Sequence, residues 1–179
     1  MSHFFDLLLQ NTITMMAIVD PLGVSAIMLS LLPEGTTKET ISKIAFKSTL
    51  TIIVAFFIVL ITGNFLLQLF GIEIDSLTVM GGIILLLMAI KMVNGSSESK
   101  NQTKEERVET LRHDEFSIIP LGIPITFGPG IFATVVIIRN QSESFVAISA
   151  FILAYLLVAL TVYLAFKNSI YIRQYLGIT

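Results

Sequence analysis

Apolar residues crowd this chain into five long runs separated by short polar breaks, at residues 7–32, 48–70, 77–93, 116–138 and 145–166. An α-helix needs about 20 apolar residues to cross the hydrocarbon of a bilayer, so each run predicts one membrane-spanning helix. The second, fourth and fifth runs carry no charge. The third crosses Lys91, whose ammonium can reach the interface along its alkyl stem, and the first holds a single charge, Asp20. The opening residues Met1-Ser2-His3-Phe4-Phe5-Asp6 lack a basic cluster, and the first run is too long for a cleavable signal, so it reads as a permanent span.

Composition agrees with the pattern. Of 179 residues, 54% are hydrophobic and 13% charged, and the mean hydropathy is +0.86, an excess that a water-soluble core of this size could not hide. Charge adds an orientation. If the spans alternate, Lys38, Lys43, Lys47, Lys91, Lys100, Lys104, Arg107, Arg112, Lys167 and Arg173 fall on one face and only Arg139 on the other. Basic residues of short loops stay cytoplasmic, so the N-terminus is expected outside a plasma membrane and the central loop inside. Residues 94–115, rich in Ser, Glu and Lys, read as a cytoplasmic linker dividing the chain into halves, 1–93 and 116–179.

The halves resemble each other in their breaks. Asp20-Pro21-Leu22-Gly23 interrupts the first span and Gly128-Pro129-Gly130 the fourth. From Pro21 to Gly71-Ile72 is 50 residues, and from Pro129 to Gly177-Ile178 is 48. Three spans per half would invert the second unit relative to the first, giving an inverted 3+3 repeat of which five helices of an expected six are present.

The breaks are the candidate site. A proline inside a membrane helix removes a backbone donor and pushes the residue before it out of helical geometry, so Asp20 is expected at a local unwinding that Gly23 eases. A carboxylate in a span costs roughly 2.5–3.5 kcal/mol on insertion scales. Asp20 either only caps the second half-helix or caps it and also meets a ligand or cation. In the fourth span, Pro120, Pro124, Pro129, Gly122, Gly128 and Gly130 exclude a continuous helix. Pro129 suits the first position of a half-helix whose positive end would receive an anionic group. Asn11, Thr14, Ser25 and Thr126 lie near the breaks and could line a cavity. Gly81-Gly82 reads as close helix packing.

Other chemistries find little footing. There is no cysteine, no GxxxxGK[ST] phosphate loop, no HExxH, and no second acid within a span to make an aspartyl dyad. His113-Asp114-Glu115 are consecutive and diverge on a helix, and the Asn-x-Ser/Thr triplets at Asn94, Asn101 and Asn140 read as chance matches. No cofactor and no nucleic-acid partner are expected; a channel remains an alternative, and assembly into a homo-oligomer is left open.

With Asp20-Pro21-Leu22-Gly23, Phe70-Gly71-Ile72, Gly81-Gly82-Ile83, Asp114, Pro120-Leu121-Gly122-Ile123-Pro124 and Gly128-Pro129-Gly130 in place, the chain resembles the MarC family of membrane proteins, within the wider lysine-exporter superfamily. The resemblance covers nearly the whole chain. It implies a sixth span and a secondary transporter of small neutral amino acids such as glycine or alanine, by import or export. Coupling to H⁺ or Na⁺ is expected, with a small zwitterion and the lipid bilayer as partners.

Overall fold

The computed structural model describes residues 2–33, 35–93, 117, 121–169 and 171. The central linker at 94–115, Asp114, Pro120 and the Gly177-Ile178 pair lie outside the described residues. Six α-helices and one short π-helical turn make up the rest, with no strand among the described residues. They are α1 (Ser2–Val19), α2 (Pro21–Leu31), α3 (Lys38–Phe70), α4 (Ile74–Val93), the π turn (Leu121–Thr126), α5 (Pro129–Gln141) and α6 (Phe145–Lys167).

Among the described residues three segments are long and apolar enough to cross a membrane: the α1–α2 stretch His3–Leu31, α3 and α6; α4 holds a shorter apolar helix, Ile74–Ile90. Their outward faces carry large exposed side chains, among them Phe5, Leu9 and Ile13 on α1, Ile58, Ile61 and Phe65 on α3, and Leu86 and Leu87 on α4. Several threonines on these helices turn their hydroxyls back onto their own helix. Thr12, Thr51, Thr62, Thr78 and Thr134 each donate to the carbonyl four residues earlier. That is the surface of a protein whose solvent is lipid.

Counting charge-free residues places the start of the second helix at 48, and the structure starts it ten residues earlier, at Lys38. Thr37 caps it, its Oγ1 accepting from the Thr40 N–H at 3.2 Å, and Glu39 and Lys43 pair one turn apart at 2.8 Å. The charged first turns are therefore a capped extension of the apolar helix. Its other end closes on Gly71, where φ is 65° and the amide bonds the Gln68 carbonyl at 3.2 Å, a left-handed conformation that glycine adopts without strain.

α3 and α6 run antiparallel. As α3 advances from Lys38 through Ile52 to Phe56, its partners on the other side recede from Tyr171 through Tyr155 to Phe151. Phe56 stacks on Tyr155 with ring centroids 3.9 Å apart, and Tyr155 donates to the Ile52 carbonyl at 3.3 Å, so α3 and α6 form the centre of the fold. In lipid no water is expelled when helices meet, so close approach at small residues does the work. A Cβ on Gly63 of α3 would come 2.6 Å from Val136 of α5, and one on Gly81 of α4 would come 2.9 Å from Ala133. Of the Gly81-Gly82 pair only Gly81 faces a neighbour; nothing lies within 4 Å of a Cβ on Gly82.

Candidate functional site

The first break is built by one residue. Asp20 takes φ 44° and ψ 69°, and it is the one non-glycine residue at positive φ among the described residues. Asp tolerates this region because its short polar side chain finds backbone partners nearby. Here the carboxylate Oδ1 accepts from the Gly23 N–H at 3.1 Å, and the Asp20 carbonyl accepts from Val24 at 3.0 Å, so α2 starts with Asp20 as its cap and buried Pro21 at its first turn. Gly23 is required for a reason other than loosening the helix. A Cβ there would sit on the Asp20 carboxylate. Gly23→Ala is accordingly expected to expel the cap and lower stability by about 1 kcal/mol, measured as the unfolding midpoint in detergent.

The second break has the opposite character. Phe127 donates to the Gly122 carbonyl and Thr126 Oγ1 to the Leu121 carbonyl, at 2.8 and 2.7 Å, both five residues back, and Ile123 leaves helical geometry at φ −135°, ψ 127°. The chain is extended at Gly128, and α5 begins at Pro129 with no side chain capping it. The Phe132 N–H is taken by the Gly128 carbonyl at 3.0 Å, whereas among the described residues no side chain accepts from those of Gly130 and Ile131, both buried. Two half-helix N-termini thus sit in one bundle, one capped by its own carboxylate and the other without a side-chain cap among the described residues.

The halves run apart from their breaks. α2 leads into the loop that starts α3 at Lys38, whereas Val136 and Asn140 of α5 lie against Gly63 and Asn64 near the other end of α3. The two interrupted spans touch on both sides of their breaks, α1 against α5 and α2 against the π turn. Near its break the fourth span is held to α3 by Ser48, whose Oγ donates to the Ser117 carbonyl at 2.9 Å, and by Gly122, whose absent Cβ leaves room for Thr51. Ser48 marks the first charge-free residue of its run and so escapes notice as a site residue. Its place on the buried stripe Ile41, Ile44, Ser48, Ile52 is the signal that finds it.

Among the remaining candidates, Ser25 is 1% exposed and Thr126 2% exposed, and both hydroxyls donate to their own helix, Ser25 to the Leu22 carbonyl at 2.7 Å. Each keeps acceptor capacity only. Asn11 and Thr14 are half-buried on the same stripe of α1 as Met15 and Val19, with no hydrogen bond of their own among the described residues. Gly128 is buried and Pro129 exposed. Gly130 faces away from the α2 break, since its nearest neighbours are Leu85 and Met88 of α4.

Comparison with known proteins gives the fold a family. The chain is 31% identical to a UPF0056 membrane protein of Aquifex aeolicus, an alignment covering all of this chain and 83% of that one. It is 30% identical to the UPF0056 membrane protein YhcE of Escherichia coli, over 83% of this chain and 68% of that one. With the UPF0056 membrane protein YvbG of Bacillus subtilis the identity is 32%, over 98% and 83%. No solved structure matches the chain. The model of the MarC family of integral membrane proteins matches residues 5–179, and with broken spans and lipid-facing helices already evident, the chain belongs to that family.

Proposed function

We propose that this protein is a secondary transporter of small neutral amino acids, glycine or alanine in kind, coupled to H⁺ or Na⁺ and placed within the lysine-exporter superfamily. The observation that carries the reading is the pair of half-helix N-termini of opposite character. A zwitterion has a carboxylate for the open amides of Gly130 and Ile131, and an ammonium, or a coupling cation, for Asp20.

The packing supports an inverted repeat beneath this site. Exchange α1 with the π turn, α2 with α5, and α3 with α6: α1 on α6 becomes the π turn on α3, α2 on α6 becomes α5 on α3, and α1 on α5 becomes the π turn on α2. All of those contacts occur. The central pair, α3 on α6, maps onto itself and is antiparallel, as an axis lying in the membrane plane requires. Contact of α4 with α5 is a pairing whose counterpart would need a further span, against α2.

The experiment is uptake of labelled glycine and alanine into proteoliposomes under imposed H⁺ and Na⁺ gradients. Gradient-driven accumulation that saturates supports the reading; uptake equal to that of protein-free vesicles contradicts it. Orientation is tested separately. The chain has no cysteine, so single cysteines at Glu98 and Glu143 are clean reporters, and they are expected to label from the cytoplasm and from outside respectively in intact cells. The reverse pattern would overturn the proposed topology.

A further inference from the structure

Beyond the breaks, each end of the bundle carries a polar contact between distant parts of the chain. At the end remote from Lys38, Asn140 Nδ2 in the last turn of α5 donates to Asn64 Oδ1 of α3 at 2.5 Å. At the other end, Lys38 Nζ donates to the Tyr171 hydroxyl at 2.8 Å and lies 4.9 Å from the centre of the same ring. That contact joins the start of α3 to the chain just past α6.

The two contacts occupy related places. Pro21 and Pro129 are 108 residues apart, and Gly71 and Gly177 are 106 apart. Tyr171 follows Asn64 by 107, so these two stand at the same position in their halves. The other member of each contact lies at the corner that follows a half-helix: Asn140 comes just before α6, and Lys38 opens α3 after α2. Each contact therefore ties the corner beyond a half-helix to the far end of the long helix on which that half-helix packs, α5 on α3 and α2 on α6.

The half-helices are built to move as rods. α5 has 13 residues, a length of about 20 Å, and it starts after the extended Gly128 and the π turn, whereas α2 is jointed to α1 at the left-handed Asp20. A tilt of about 10° at the break would carry Asn140 through about 3 Å, enough to part it from Asn64. Along its length α5 rests on its neighbours at small residues, Val136 against Gly63 and Ala133 against Gly81. In lipid such contacts expel no water, so one hydrogen bond weighs in the balance between docked and tilted forms. Both polar contacts are exposed, which lets water replace either partner and keeps the bond weak enough to open repeatedly.

We propose that these contacts are the two latches of the bundle. Release of Asn64 from Asn140 lets α5 tilt from α3 and opens the breaks outward; release of Lys38 from Tyr171 lets α2 tilt from α6 and opens them inward. The inference rests on the reading of the breaks as a transport site.

Val136 and Met28 report the two movements. They are 108 residues apart, at matching places on α5 and α2, and are 1% and 0% exposed. The chain has no cysteine, so Val136→Cys and Met28→Cys each give the full chain a single thiol. The probe is a membrane-impermeant methanethiosulfonate, applied to intact cells or to inside-out vesicles. Asn140→Ala is expected to raise labelling of Val136→Cys from outside about fivefold without raising that of Met28→Cys from inside. Asn64→Ala is expected to do the same, and the two together no more than either alone, because they break one bond. Lys38→Met is expected to raise labelling of Met28→Cys from inside about fivefold without raising that of Val136→Cys. Rates that these variants leave unchanged would overturn the proposal. So would a rise at both reporters with either latch removed, which describes a loosened fold. Labelling consumes no substrate, so the expected labelling together with absent uptake would contradict the transport reading and leave the latches standing.

Discussion

Asp20→Asn is expected to abolish gradient-driven uptake of glycine or alanine into proteoliposomes while the protein keeps its fold to within about 0.5 kcal/mol. The two halves of that expectation come from two properties of one side chain. As a cap, Asp20 offers Oδ1 to the Gly23 N–H, and an asparagine oxygen does the same in the same left-handed backbone. As a charge, it is the anionic partner proposed for the substrate ammonium or the coupling cation, and asparagine offers none. Asp20→Ala separates the two differently, since it removes the cap as well and is expected to cost about 1 kcal/mol. Transport by Asp20→Asn at the parental rate, with unchanged dependence on pH and Na⁺, would leave Asp20 a helix cap and nothing more.

Gly130→Leu is expected to stop transport too, for reasons that can be pulled apart. A Cβ on Gly130 would come 2.9 Å from Leu85 Cδ2, and a full leucine side chain would also meet Met88, so α4 and α5 would be forced apart at a cost of about 1–3 kcal/mol. The same side chain would crowd the open amides at the start of α5. The double variant Gly130→Leu with Leu85→Ala returns room to the α4 interface without clearing the helix end. If the unfolding midpoint recovers while transport stays absent, the amides are the functional feature. If both recover together, Gly130 serves packing alone.

Much of this architecture is readable in the residue pattern, because in lipid the backbone must satisfy itself and only long apolar helices do so. The break at Asp20-Pro21 follows from the chemistry of proline, and the interruption ahead of Pro129 from the density of proline and glycine around it. Other features depend on what a helix packs against, which one sequence does not display. Gly81 and Gly82 are adjacent and alike in sequence, yet only the first has a neighbour to accommodate. Gly23 looks like a helix breaker and instead clears space for the Asp20 carboxylate. The reach of α3 back to Lys38 is obscured by charges that a capped, solvated first turn accepts without difficulty. Nor does the sequence reveal that Gly130 looks toward α4, since the amides and the Cα hydrogens of a helix end point in different directions.

The claim on which everything functional rests is that the two broken spans form one substrate site that opens to alternate faces of the membrane. Counterflow measures this directly. Proteoliposomes loaded with unlabelled glycine and diluted into a trace of labelled glycine, with no ion gradient imposed, are expected to accumulate label transiently above its outside concentration, because a carrier exchanges one occupant for another. Label that merely equilibrates, at a rate indifferent to the glycine inside, would describe a pore and contradict the account.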